Sequence, residues 1–140
     1  MARKVFLSFV EEDLDCVNLF RGQAKNENSE LEFYDYSVRE PFNSKNAEYI
    51  KSQIQQKINN VSVTLCLIGK NTYTSDWVDW ELKKSVEMGK GLVGMKLDNG
   101  WRNFFRQIPQ ALRDHGVEIV EWNHEKIIKA IERAAKKAGY

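Results

Sequence analysis

The chain has 140 residues, 42% of them hydrophobic and 29% charged, which suits one globular domain with a sizeable buried core. Its 21 basic and 20 acidic residues leave a net charge of +1, so the charge balance gives no footing for nucleic acid or an anionic membrane surface. The basic start followed by one short apolar run is too brief for a signal peptide or a membrane span. Together with two cysteines in no metal-ligand spacing, this reads as a reduced, cytoplasmic protein.

Five short apolar, β-rich runs alternate with stretches of helical period. The strands are predicted over Val5–Phe9, Leu31–Tyr34, Val61–Ile68, Gly91–Leu97 and Val117–Val120. The helices are predicted over Asp13–Arg21, Asn46–Asn59, Asp76–Met88, Trp101–Arg113 with an interruption at Pro109, and His124–Ala138. Ala47, Ile50, Ile54 and Ile58 give the second helix an apolar face. Asn123 reads as the N-cap of the last helix, and Gly139 lies just beyond its end. Cys66 falls inside the third strand and reads as a buried, inert thiol; His115 and His124 read as surface residues.

Strands alternating with helices of this length call for a parallel sheet covered on both faces. Five strands are too few for an eight-stranded barrel. The expected fold is therefore a flavodoxin-like, doubly wound five-stranded parallel sheet of order 2-1-3-4-5, forming one domain over residues 1–140. Such a sheet binds ligands beyond the carboxyl ends of its strands, at the switch between the first and the third. The first strand delivers Ser8, Phe9, Val10 and Glu11 to that edge, and the second delivers Asp35, Tyr36, Ser37, Val38 and Arg39 in a long loop. The third delivers Gly69, Lys70 and Asn71, followed by the helix that carries Trp77 and Glu81.

That helix holds an anomaly. Its sheet-facing stripe runs Val78, Glu81, Leu82, Ser85, Val86 and Gly89, so an acid occupies a position meant for an apolar side chain. A carboxylate there must be hydrogen-bonded, paired or open to a cleft; the bland alternative is a side chain leaning off the stripe into solvent. Other occupants of the fold fail by residue. There is no Ser/Thr/Gly-rich flavin-phosphate loop after the first strand, no Asp ending the third strand for phosphoacceptance, no Walker loop and no Gly-x-Gly-x-x-Gly.

Three segments taken in order, Lys4 to Phe9, Tyr36 to Pro41, and Asn60 to Leu82 with its Trp-x-x-x-Glu helix, resemble the TIR domain family. Within it they are most similar to the prokaryotic TIR-like proteins that include the NAD-consuming sensor subunit of the Thoeris antiphage system. The resemblance covers roughly the first 97 residues in sequence and the remainder in architecture. Phe42 stands where many TIR domains carry Gly after the Pro, and Val78 where Cys often follows the Trp.

The resemblance implies cleavage of the nicotinamide–ribose bond of NAD+, with NAD+ as substrate rather than cofactor, no metal, and Glu81 as the catalytic glutamate. Nicotinamide leaves from a cationic pyridinium and needs no general acid, so one carboxylate facing the ribosyl cation suffices. Ser8, Val10, and Phe9 and Trp77 as apolar or stacking walls, would line the nicotinamide riboside. Asp35, Tyr36 and Ser37 would contact ribose hydroxyls or the adenine side, and Arg39 and Lys70 the pyrophosphate. Water, an internal hydroxyl or another nucleophile would give ADP-ribose, a cyclic isomer or a conjugate. With no effector segment before the end at Tyr140, the resemblance implies a nucleotide messenger acting on a separate effector protein, with self-assembly as a further possibility. Two other functions fit the same residues: a catalytically silent TIR-like interaction module, and a nucleoside deoxyribosyltransferase-like enzyme acting on neutral nucleosides. A flavodoxin-like binding domain without activity is the bland reading.

Overall fold

The computed structural model describes residues 3–27, 30–36, 40–98 and 104–140, the side chains at 104 and 105 excepted. Five strands run β1 (Arg3–Ser8), β2 (Leu31–Asp35), β3 (Val63–Ile68), β4 (Gly91–Lys96) and β5 (Glu118–Val120). Five α-helices follow them in turn: α1 (Leu14–Asn26), α2 (Ala47–Asn59), α3 (Asp76–Glu87), α4 (Gln110–Asp114) and α5 (His124–Lys137). All pairings are parallel and the order is β2-β1-β3-β4-β5, the flavodoxin-like arrangement expected from the sequence.

The alternation of side chains along the central strands divides the core into two layers. Val5, Leu7, Val63, Leu65, Leu67, Val93 and Met95 face α1 and α5, meeting Val17, Phe20, Ile127, Ala130, Ile131 and Ala135. The opposite set splits between neighbours. Phe6 packs on Ile50, Ile54 and Ile58 of α2, while Cys66, Ile68 and Leu92 pack on Val78 and Leu82 of α3 and on Ala111 and Leu112 of α4. This second layer also contains the hydroxyl residues Ser8 and Thr64, both fully buried.

Element ends follow the local chemistry. Ser75 accepts a hydrogen bond from Val78 N at 3.2 Å and starts α3, with Asp76 and Asp79 favourably placed in its first turn. Asn123 caps α5 through Lys126 N at 3.0 Å, as its position suggested. Gly89, Gly116 and Gly139 each take a positive φ just past a helix, where a side chain would be strained. Two predicted helices are altered: α1 runs on to Asn26, past the expected end at Arg21, and the helix expected over Trp101–Arg113 is broken. Its first residues, to 103, lie outside the described segments; beyond them come a 3-10 turn, Phe104–Gln107, and then only the short α4. Pro109 provides the break, because it cannot donate to the preceding turn.

Gly91 begins β4 under α5, and a Cβ there would lie 2.6 Å from the carbonyl oxygen of Ala134. The nearest atoms are backbone of Ala134 in α5, which cannot swing aside as a flexible side chain would. Gly91→Ala is expected to lower stability by about 1–3 kcal/mol, read as a reduced urea midpoint with an unchanged m-value.

Candidate functional site at the carboxyl edge of the sheet

Glu81 does not lean away from the stripe. It is 3% exposed, in the layer between α3 and the sheet. Its position follows from two periodicities. Helical spacing puts residue 81 on the same face as Val78, Leu82 and Ser85, all buried. Strand alternation puts Ser8, the last residue of β1, on the same sheet face as Phe6, beside Cys66 of β3. The two meet: Ser8 Oγ donates to Glu81 Oε1 at 2.7 Å. Burial pushes the Glu81 carboxyl up to about 8, and the Ser8 hydrogen bond, which favours the charged form, works against that rise.

Because β1 ends at Ser8, the acid sits at the mouth of the sheet rather than deep under it. Phe9, Val10, Glu11, Tyr36, Ser75, Trp77 and Glu81 line a cleft of about 80 Å³ there. Of the residues singled out in the sequence, Phe9, Val10, Tyr36, Trp77 and Glu81 therefore come together, with Ser8 as the hydrogen-bond partner behind the acid. Asp35 is at the end of β2 but its carboxylate pairs with Arg21 of α1 and does not line this cleft. Lys70 is an exposed residue of the turn after β3 and is likewise not in the cleft wall. Ser37 and Arg39 lie outside the described residues.

Two features of the site had no place in the sequence reading. Ser75 contributes to the wall as well as capping α3; the signal available was a Ser three residues before Val78, the ordinary N-cap spacing. The second is a strap. Trp77 Nε1 donates to the carbonyl oxygen of Glu40 at 2.9 Å, and the Phe42 ring meets the Trp77 ring edge-on at 4.9 Å. Trp80 stands at 6.4 Å from Trp77, and the Lys51 ammonium lies over both Phe42 and Trp80. Phe42 thus packs against the helix that carries the acid.

The loops after β1 and β3 are fastened to each other independently. Asn71 donates to the Glu12 carboxylate at 3.1 Å, and Gly69 N donates to Thr72 Oγ1 at 2.7 Å. Asp13 approaches Gly69 so closely that a Cβ at position 69 would lie 1.9 Å from Asp13 Oδ2. Burial, with Glu12 beside it, raises the Asp13 carboxyl above the usual carboxylate range.

A larger groove, about 660 Å³, opens at the other end of the sheet beside Gly91, Leu92, Gly116, Val117 and Ala134. Size does not make it the better site. Arg133 and Glu118 in its wall pair with each other, Nε donating at 3.0 Å, and among the described residues no buried acid or hydroxyl lines it. Among the described residues, no group of three or more His, Cys, Asp and Glu is disposed to hold a metal ion. No helix among those residues is long and apolar enough to cross a membrane.

A doubly wound parallel sheet with a buried acid on the helix after its third strand, at the switch-point edge, defines the class of protein to compare. Residues 6–101 match the family described as "Thoeris protein ThsB, TIR-like domain", and the chain belongs to that family. A curated protein of Bacillus cereus (strain MSX-D12), named "Putative cyclic ADP-D-ribose synthase ThsB1", is 34% identical over 102 residues. That alignment covers 70% of this chain and 53% of the relative, so the chain spans about half of the relative's length. Among solved structures, the TIR domains of the activated Roq1 resistosome recognising the effector XopQ align at 18% identity with a TM-score of 0.49, covering 98% of this chain and 84% of that one.

A carboxyl whose folded-state value is raised above its unfolded one binds more protons when folded, so stability falls as pH rises between the two values. For Glu81 that window runs from about 4.5 to about 8. Glu81→Gln, nearly isosteric and still able to accept from Ser8, is expected to be more stable than the wild type at pH 8.5 by roughly 2–5 kcal/mol, read as a higher urea midpoint at unchanged m-value, and near the wild-type value at pH 4.5. Equal midpoints at both pH values would place the acid in a solvated setting.

Proposed function

We propose that this chain cleaves the N-glycosidic bond between nicotinamide and ribose in NAD+ and passes the ribosyl centre to a nucleophile, with Glu81 as the catalytic residue. The observation that carries the reading is the buried Glu81 carboxyl facing a cleft walled by Phe9, Tyr36 and Trp77. The family membership and the name of the Bacillus cereus relative support it. An acid that only helped α3 to pack would be replaced to advantage by leucine or methionine, whereas a cation-forming reaction requires it.

In this reading the nicotinamide–ribose bond is brought to the mouth of the cleft; at about 80 Å³ the cleft is smaller than the nicotinamide riboside, so most of the dinucleotide lies outside it. The aromatic walls suit a flat, cationic ring. The C1′–N bond breaks, its electron pair neutralises the pyridinium nitrogen, and positive charge is left on the ribosyl C1′ and ring oxygen. Glu81 must be ionised to stabilise that charge, and the cationic substrate itself favours the ionised form in a dry cleft. Addition of water at C1′, with loss of a proton, gives ADP-ribose; addition of a nucleophile of the same molecule gives a cyclic isomer. The relative's name favours the cyclic product for this chain. A product of this kind would act as a diffusible messenger for a separate effector protein, in antiphage defence.

Incubation of the purified protein with NAD+, followed by chromatography for nicotinamide and adenine nucleotides, tests this directly. Release of nicotinamide is expected, with a loss of at least about 100-fold in Glu81→Gln. Full activity in that variant would overturn the assignment. Because the ionised acid is the active form, kcat/KM should rise with pH through the Glu81 value of about 8 and level off above it. A flat profile from pH 6 to 9 would show that proton loss from Glu81 does not limit the reaction.

A further inference from the structure

Glu81 hangs on a chain of hydroxyls. Ser8 Oγ donates to its carboxyl at 2.7 Å, and one turn further along α3 the Ser85 hydroxyl donates to its backbone carbonyl at 2.8 Å. Thr64 Oγ1 of β3 lies 2.7 Å from Ser85 Oγ. A hydroxyl carries a single hydrogen, and that of Ser85 is committed to the Glu81 carbonyl, so Thr64 is the donor to Ser85. Ser8, Thr64 and Ser85 are all 0% exposed.

Packing does not ask for these groups. Thr64 sits between Phe6 of β1 and Leu92 of β4 in register, and a valine would fill the same space. The Glu81 carbonyl, mid-helix, is already placed to receive the Ser85 N–H, so the Ser85 hydroxyl is a second donor to it. Buried hydroxyls are tolerated only where each finds a partner, and here all of them find it in a path that begins or ends on Glu81.

We propose that Ser8, Thr64 and Ser85 are positioning residues for Glu81, Ser8 setting the carboxyl from β1 and the Thr64–Ser85 pair pinning the turn that carries it to β3. This rests on the reading of Glu81 as the reacting carboxylate. It also reassigns Ser8, which stands behind the acid rather than in the cleft wall. The two arms act on different quantities. Ser8 touches the ionisable group and favours its charged form, whereas Ser85 reaches only the Glu81 backbone carbonyl and Thr64 only the Ser85 hydroxyl, so neither bonds the carboxyl.

The test uses the full chain with Ser8→Ala, Ser8→Cys, Thr64→Val and Glu81→Gln, measuring nicotinamide release against pH. In parallel, the carboxylic-acid infrared band that disappears in Glu81→Gln is titrated in each protein. In Ser8→Ala the infrared midpoint and the pH–rate inflection should both rise by about one unit. Its kcat should fall about 10–100-fold with KM within about threefold, and Ser8→Cys, a weaker donor of similar volume, should be intermediate. Thr64→Val should leave the midpoint in place and lower kcat by about 3–10-fold. An unmoved midpoint in both Ser8 variants, or a raised KM at unchanged kcat, would overturn the Ser8 arm; wild-type kcat in Thr64→Val would overturn the other. If the wild type releases no nicotinamide, the NAD+ reading fails while the infrared titration still decides whether Ser8 sets the acid.

Discussion

The contact on which this molecule turns is the 2.7 Å hydrogen bond between Ser8 and Glu81, made inside an apolar layer. An ionised carboxylate with one neutral partner in such a place is heavily penalised, and the group responds by holding its proton to unusually high pH. The arrangement survives because it lies at the end of β1 and not at its middle. One residue further on, Phe9 and Val10 already belong to the cleft wall, so the acid borders on solvent without being in it. Moving it one strand residue deeper would leave it with neither water nor cleft.

The loops around it are fastened rather than left to their own preferences. Gly69 lacks a side chain where Asp13 comes close, Asn71 holds Glu12, and Thr72 caps the end of β3. On the other side the Glu40 carbonyl and the Phe42 ring bear on Trp77. Segments following β1, β2 and β3 thus converge on the first turns of α3, which gives one helix control of the cleft's geometry. The stability given up at Glu81 is offset by the apolar packing of Val78 and Leu82 on either side of it.

The family match ends at residue 101, yet the sheet does not. β5 extends it beside β4, and α5 covers one face with Ile127, Ala130, Ile131 and Ala135, all buried against the central strands. Among the described residues, those after 103 add core, and none of them lines the cleft at Glu81. The larger groove lies at the amino ends of β4 and β5, the edge remote from Glu81.

The alternation of strand and helix was legible from periodicity, because side-chain period is a local property of the chain. The parallel sheet and its order followed from the few ways in which five strands joined by helices can be covered on both faces. The misfit of Glu81 was legible too, since a helix stripe can be drawn without knowing what it faces, and Phe9, Val10, Tyr36 and Trp77 followed from the rule that ligands collect at the carboxyl edge. What the sequence could not determine is which hydroxyl meets the acid. Ser8 reaches it through the register of β1 against β3 and the depth at which α3 lies on the sheet, and both depend on the packing of all the layers together. The same holds for Asp35, drawn to Arg21 of α1 instead of to the cleft, and for Thr64, whose donor role exists only because Ser85 lies across from it. Patterns along the chain decide which face is buried; the partner across that face is decided only when the sheet and helices close on one another.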